Sequence, residues 1–109
     1  MYQIFLSDHF TREIKKLTKK QPDLPTGIIK ALKEFNKTRA TSLGANTYKI
    51  RIGSKVTRRG KSRAFRMIVL LIEVDSIISP LTLYAKSECT VISRQEIMYH
   101  MAMVKRELQ

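Results

Sequence analysis

The sequence predicts an α+β fold: a small antiparallel sheet, built from a first strand plus a three-strand meander, packed by two N-terminal helices and a C-terminal helix. Three observations carry that expectation. Apolar residues recur at helical spacing near both ends of the chain. Between them the apolar pattern turns alternating and then continuous, as strands do. No repeat, low-complexity segment or linker interrupts the 109 residues, so one domain spans 1–109.

Residues 2–6 are short, apolar and rich in strand formers, so they read as the first strand. Ser7 and Asp8 then offer N-caps. Phe10, Ile14 and Leu17 follow on one helical face, and Lys15, Lys16, Lys19 and Lys20 crowd the C-terminal end, where the helix dipole favours cations. Gln21, Pro22 and Asp23 stop this helix. Pro25 can start a second, antiparallel one, with Ile28, Leu32 and Phe35 on its buried face.

Residues 38–47 read as a polar connection. Tyr48, Lys49, Ile50, Arg51 and Ile52 then alternate strictly, which sets Lys49 and Arg51 on one face and the apolar residues on the other. Residues 53–61 form a basic loop, and residues 65–74 a nearly continuous apolar run of central-strand character. Asp75 and Ser76 can turn the chain, and residues 81–86, after Pro80, read as the last strand. Ser93 and Glu96 fit a capping box, opening a helix with Ile97, Met101, Val104 and Leu108 at helical spacing. The helices are expected to cover one sheet face and leave the other to the basic residues.

Charge sets the class of partner. The net charge is +12 and the pI about 10.2, a balance that a polyanion or an acidic protein offsets. No acidic residue lies between Glu34 and Glu73, a window holding ten Lys and Arg residues, eight of them between Tyr48 and Arg66. That is a phosphate-binding footprint mounted on strands. One cysteine, Cys89, excludes an intramolecular disulfide. With no other Cys and no nearby His, it has no metal-ligand pattern, and no metal or cofactor is expected. No apolar run is long enough for a transmembrane helix and no signal peptide is legible, so a cytoplasmic protein without membrane contact is expected. Gly-rich nucleotide motifs are absent.

Four blocks carry a resemblance: residues 48–52 (YKIRI), 60–63 (GKSR), 65–67 (FRM) and 81–88 (LTLYAKSE). In this order and spacing the chain resembles the RelE/ParE superfamily of type II toxin–antitoxin toxins, and within it the HigB-like branch of the RelE group. The resemblance implies a RelE-like microbial RNase toxin fold and a ribosome-dependent mRNA endoribonuclease, an mRNA interferase that enters the ribosomal A site, cuts mRNA and inhibits translation. It places the family's basic strand pair on Lys49 and Arg51, its central-strand arginine on Arg66, and its post-strand lysine on Lys86, beside Tyr84. RelE carries a further arginine and tyrosine just beyond the last strand, where this chain has Ser87 and, near the second position, Ser93. The implied partners are ribosome, mRNA and a cognate antitoxin of the helix-turn-helix, HigA-like kind, with operator DNA reached only through that antitoxin.

Attack by a 2′-hydroxyl on the adjacent phosphate needs a proton acceptor, stabilisation of the phosphorane and help for the leaving 5′-oxygen. Arg51 and Arg66 offer planar forks for phosphate oxygens. Lys49, crowded by other cations, is the candidate base. Lys86 is the candidate leaving-group acid or a phosphate ligand, and Tyr84 a stacking platform or proton donor. Lys55, Arg58, Arg59, Lys61 and Arg63 are expected to anchor RNA or ribosome backbone.

Each assignment has a plainer counterpart. Lys49 and Arg51 can be the solvated face of an edge strand. Arg66 can be ion-paired with Glu73 or Glu88, and Tyr84 can be a core residue. His9 and His100, the only histidines, read as surface or partly packed side chains remote from the basic strand. Two other functions fit the same charge: a gyrase-inhibiting ParE-like toxin, and a non-catalytic basic RNA- or DNA-binding module.

Overall fold

The computed structural model describes residues 1–53, 64–88 and 91–109. The chain runs β1 (Gln3–Ile4), α1 (Asp8–Lys20), α2 (Leu24–Lys33), β2 (Thr41–Gly44), β3 (Thr47–Gly53), β4 (Ala64–Ile72), β5 (Ile77–Ala85) and α3 (Arg94–Leu108). The α+β class is as the sequence predicts. The helix starts are also where capping chemistry places them. Ser7 Oγ accepts from the amide of Phe10 at 3.0 Å, and Ser93 Oγ from that of Glu96 at 3.1 Å.

The sheet has five strands in the order β1-β5-β4-β3-β2. The meander β3-β4-β5 is antiparallel, as expected. The expected polar connection at 38–47 instead contains β2, which pairs antiparallel with β3. Ala45 and Asn46 make the two-residue turn between them, at φ 50° and 62°. Positive φ at both positions gives the twist that a tight hairpin needs. Gly44, at φ 87°, lies where the register slips by one residue.

Two further expectations are corrected at β1 and β5. The first strand is only Gln3–Ile4, and it pairs parallel with Ile77 and Ile78. The last strand begins at Ile77, not after Pro80. Pro80 sits inside it at an irregularity, opposite Val69, while Thr82 faces Ile68. The extra residue, Leu81, is the bulge that lets a proline stand in an inner strand.

The helices do not share one face. Phe10 of α1 and Leu24, Ile28 and Leu32 of α2 pack against Ile52, Phe65, Met67, Val69, Ile78 and Leu83 on one side. On the other, Ile97 and Val104 of α3 pack against Ile68, Leu70 and Leu81. Alternate residues of β4 therefore enter opposite cores, which is why the strand is apolar throughout from Met67 to Ile72. Phe35 lies beyond the end of α2 but still seals the first core, edge-on to Tyr2 and Tyr48 at 6.0 and 5.5 Å between centroids.

Beyond Ile78, β5 has no β1 partner in register, and α1 and α3 meet alongside it. Glu107 of α3 caps the start of α1, accepting from the amides of Asp8 at 2.6 Å and His9 at 3.1 Å. These donors hold the Glu107 carboxyl below its ordinary value, Asp8 contributing most.

Candidate functional site

Strand register assembles the cationic site. Arg51 of β3 stands directly opposite Arg66 of β4, and Arg66 stands directly opposite Tyr84 of β5. Directly paired residues project to the same face, so the three form one row across the sheet, spanning about 10 Å of backbone at two strand spacings. In the next row on this face, Lys49 pairs with Ile68 and Ile68 with Thr82. Lys49 is about 7 Å along the strand from Arg51. Lys86 follows the end of β5 in an exposed turn closed by the Glu88 amide on Ala85 O at 3.0 Å.

This is the face covered by α3, not a free one. The helix covers Ile68, Leu70 and Leu81, and the cationic row lies beyond that apolar patch, toward the sheet end that carries Gly53, Ala64 and Ala85. Tyr84 marks the boundary. It is half-buried, packs against the α3 core, and its hydroxyl is buried, so its ring is a wall of the site rather than a solvent-facing platform. Arg66 is half-buried and Arg51 exposed. Among the described residues the ion pairs are Lys37–Glu73 at 2.8 Å and Glu13–His100 at 3.6 Å. Arg66 belongs to neither; among the described residues its Nη1 reaches the carbonyl of Phe65, at 3.4 Å. The proposed partner Glu73 instead accepts from Lys37 and from the Tyr2 hydroxyl.

Register therefore brings Lys49, Arg51, Arg66 and Tyr84 onto one face, with Lys86 just past the strand that carries Tyr84. Lys55, Arg58, Arg59, Lys61 and Arg63 fall within 54–63, outside the described residues. One cation was not singled out by sequence reading. Arg39 joins Lys49 and Arg51, with Glu34, Phe35 and Asn36 among its neighbours, around a cleft of about 360 Å³ beside β3. Its only sequence signal is membership of the acid-free window.

The histidines also differ from expectation. Both are buried, and they touch, with His9 Nε2 2.7 Å from His100 Nδ1. Burial lowers the pKa of His100, the nearby Glu13 carboxylate opposes that shift, and His9 adds to it. His9 and Glu13 at helical spacing were a sequence signal for one face; nothing local announced His100 as their partner.

No described helix is long and apolar enough to cross a membrane. No protein-family model matches the chain, and no curated protein matches it in sequence. Solved structures do match in shape. A double arginine-to-alanine mutant of E. coli toxin RelE in the free state superposes with a TM-score of 0.51 and 13% identity, covering 82% of this chain and 87% of RelE. A chain of the intact E. coli RelBE toxin–antitoxin complex gives 0.50 and 15%, covering 76% of this chain and 94% of that one. At such identities the likeness is one of architecture, and it agrees with the fold that the four sequence blocks imply: this chain has the RelE toxin fold.

Proposed function

We propose that the chain is the toxin of a type II toxin–antitoxin pair, an endoribonuclease that cuts mRNA in the ribosomal A site of the cytoplasm. The observation that supports this best is the row Arg51–Arg66–Tyr84 with Lys49 beside it, held on strands within a RelE fold. Simple phosphate binding tolerates cations on loops. Transition-state stabilisation needs donors fixed before the charge develops.

The proposed chemistry assigns each side chain one role. The mRNA 2′-oxygen attacks the adjacent phosphorus while its proton passes to Lys49 Nζ as general base. Arg51 and Arg66 hold the non-bridging oxygens as negative charge accumulates on them. The bond to the 5′-oxygen breaks, and Lys86 delivers a proton to that oxygen. The products are a 2′,3′-cyclic phosphate and a 5′-hydroxyl end. Tyr84 braces Arg66 from the neighbouring strand. Arg39 extends the cationic surface into the cleft beside β3 and carries the flanking backbone. The ribosome, by aligning the codon, supplies much of the rate through positioning.

The HigB-like kinship belongs to this reading, as does a cognate antitoxin of HigA-like, helix-turn-helix type, which would carry the pair to operator DNA. One of the matched solved structures is a toxin–antitoxin complex, which supports an antitoxin here. Induction of the wild type, followed by mapping of mRNA 5′ ends, tests the proposal. Cuts inside translated codons that vanish in Arg66→Ala are expected. Growth arrest with intact mRNA would move the assignment to gyrase inhibition, and normal growth with intact mRNA to a non-catalytic binder.

A further inference from the structure

Away from the cationic row, α1 and α3 bring three metal-ligating side chains together. His9 and Glu13 are one turn apart on α1, so both project toward the same neighbour. His100 projects from the middle of α3. One donor atom from each of the three lies within 4.8 Å of the others. His9 Nε2 is 2.7 Å from His100 Nδ1, and His100 Nε2 is 3.6 Å from Glu13 Oε1.

We propose that His9, Glu13 and His100 form a binding site for a zinc-like divalent transition metal that staples α1 to α3. Two imidazoles and one carboxylate are a donor set suited to Zn²⁺ with a fourth position left for water. The carboxylate offsets part of the ion's charge. His9 and His100 are 4% and 7% exposed as residues, so the ion would sit largely out of water. Glu13 is exposed, which leaves an entry path from solvent. Zinc bonds of roughly 2.0–2.2 Å at tetrahedral angles set donors about 3.3 Å apart. An ion takes one nitrogen of His100, whose Nδ1 faces His9 and whose Nε2 faces Glu13, so side-chain rotation brings His9 and Glu13 to the same ring edge, a closure of up to about 1.5 Å from donors that lie within 4.8 Å of one another.

The surroundings are arranged as metal sites usually are. Thr82 Oγ donates to Glu13 Oε1 at 3.2 Å, which orients the carboxylate. Glu107 fixes the first turn of α1 through the Asp8 and His9 amides. Tyr99 lies edge-on to both histidine rings, at 5.7 and 5.1 Å between centroids. Thr82 stands two residues before Tyr84 on β5, so the site lies along the same strand as the cationic row. It does not depend on the proposed nuclease activity.

The test uses the full chain, stripped with chelator and titrated with zinc sulfate, by calorimetry and thermal unfolding. Cobalt(II) is added separately as a spectroscopic probe. The expected result is one zinc per chain, a rise in melting temperature that chelator reverses, and the intense visible bands of four-coordinate cobalt. Glu13→Gln keeps size and exposure and is expected to fold, with zinc affinity reduced at least tenfold. His100→Gln is expected to abolish the cobalt bands. The absence of heat, melting shift and cobalt bands in the wild type would overturn the proposal and leave the pair as a histidine–histidine hydrogen bond. So would wild-type affinity in Glu13→Gln together with unchanged cobalt bands in His100→Gln.

Discussion

Arg51 and Arg66 face each other directly across adjacent antiparallel strands, two guanidinium groups in one cross-strand pair. Like charges in that position disfavour the fold, and neither arginine is in an ion pair among the described residues. A bound phosphate would relieve the repulsion. The arrangement is therefore better suited to an anion-bound state than to the free protein.

The first prediction is a trade of stability against function. Arg51→Thr removes the like-charge pair and places a good strand former on an exposed strand position. It should raise unfolding stability by about 0.2–1 kcal/mol in denaturant titration. The same variant should lose RNA cleavage. A variant that is destabilised would show that the pair is supportive and not repulsive.

A second prediction concerns Lys49, which shares the arginine face and the adjacent cleft. Each phosphate contact releases counterions, so its removal flattens the salt dependence of binding. Lys49→Ala should reduce the magnitude of the slope of log affinity for single-stranded RNA against log salt by about 0.7. An unchanged slope would place Lys49 on a merely solvated face.

The third prediction concerns acid stability. The Lys37 ammonium, and to a lesser degree the Tyr2 hydroxyl, hold the Glu73 carboxyl below its ordinary value. A depressed folded-state pKa stabilises the fold above the unfolded value, and that stabilisation is lost as pH falls through the folded value. The window therefore lies below about pH 4.5, the ordinary value for this carboxyl. Glu73→Gln should narrow the stability difference between pH 6 and acid, a small change because the pair is exposed. Equal acid sensitivity in both proteins would remove Glu73 from the account.

The fourth prediction separates folding from chemistry. Met67, next in sequence to Arg66, points into the opposite core and is fully buried. Met67→Ala should cost about 2–5 kcal/mol of stability. Arg66→Ala should keep a near wild-type melting curve while losing activity. Similar melting losses in both would mean that Arg66 serves the fold.

The strict alternation at 48–52 was enough to put Lys49 and Arg51 on one face, and the structure keeps them there. A strand apolar at both Met67 and Ile68 needs cover on both faces, so one-sided packing of the helices was already in conflict with the sequence. β2 is not legible in the sequence because its turn is Ala45-Asn46, without the glycine that usually marks positive φ. Pro80 hid the first half of β5, since a proline argues against an inner strand unless a bulge accommodates it. The His9–His100 contact joins residues far apart in the chain, and local pattern carries no information about such a meeting.

The most direct measurement is cleavage in a reconstituted system: purified protein, ribosomes stalled with a defined codon in an empty A site, and the same mRNA without ribosomes. The account predicts a cut within the A-site codon only when ribosomes are present, a 2′,3′-cyclic phosphate on the upstream fragment, and loss of the cut in Arg66→Ala. Intact mRNA on stalled ribosomes, or undiminished cutting by Arg66→Ala, would contradict it.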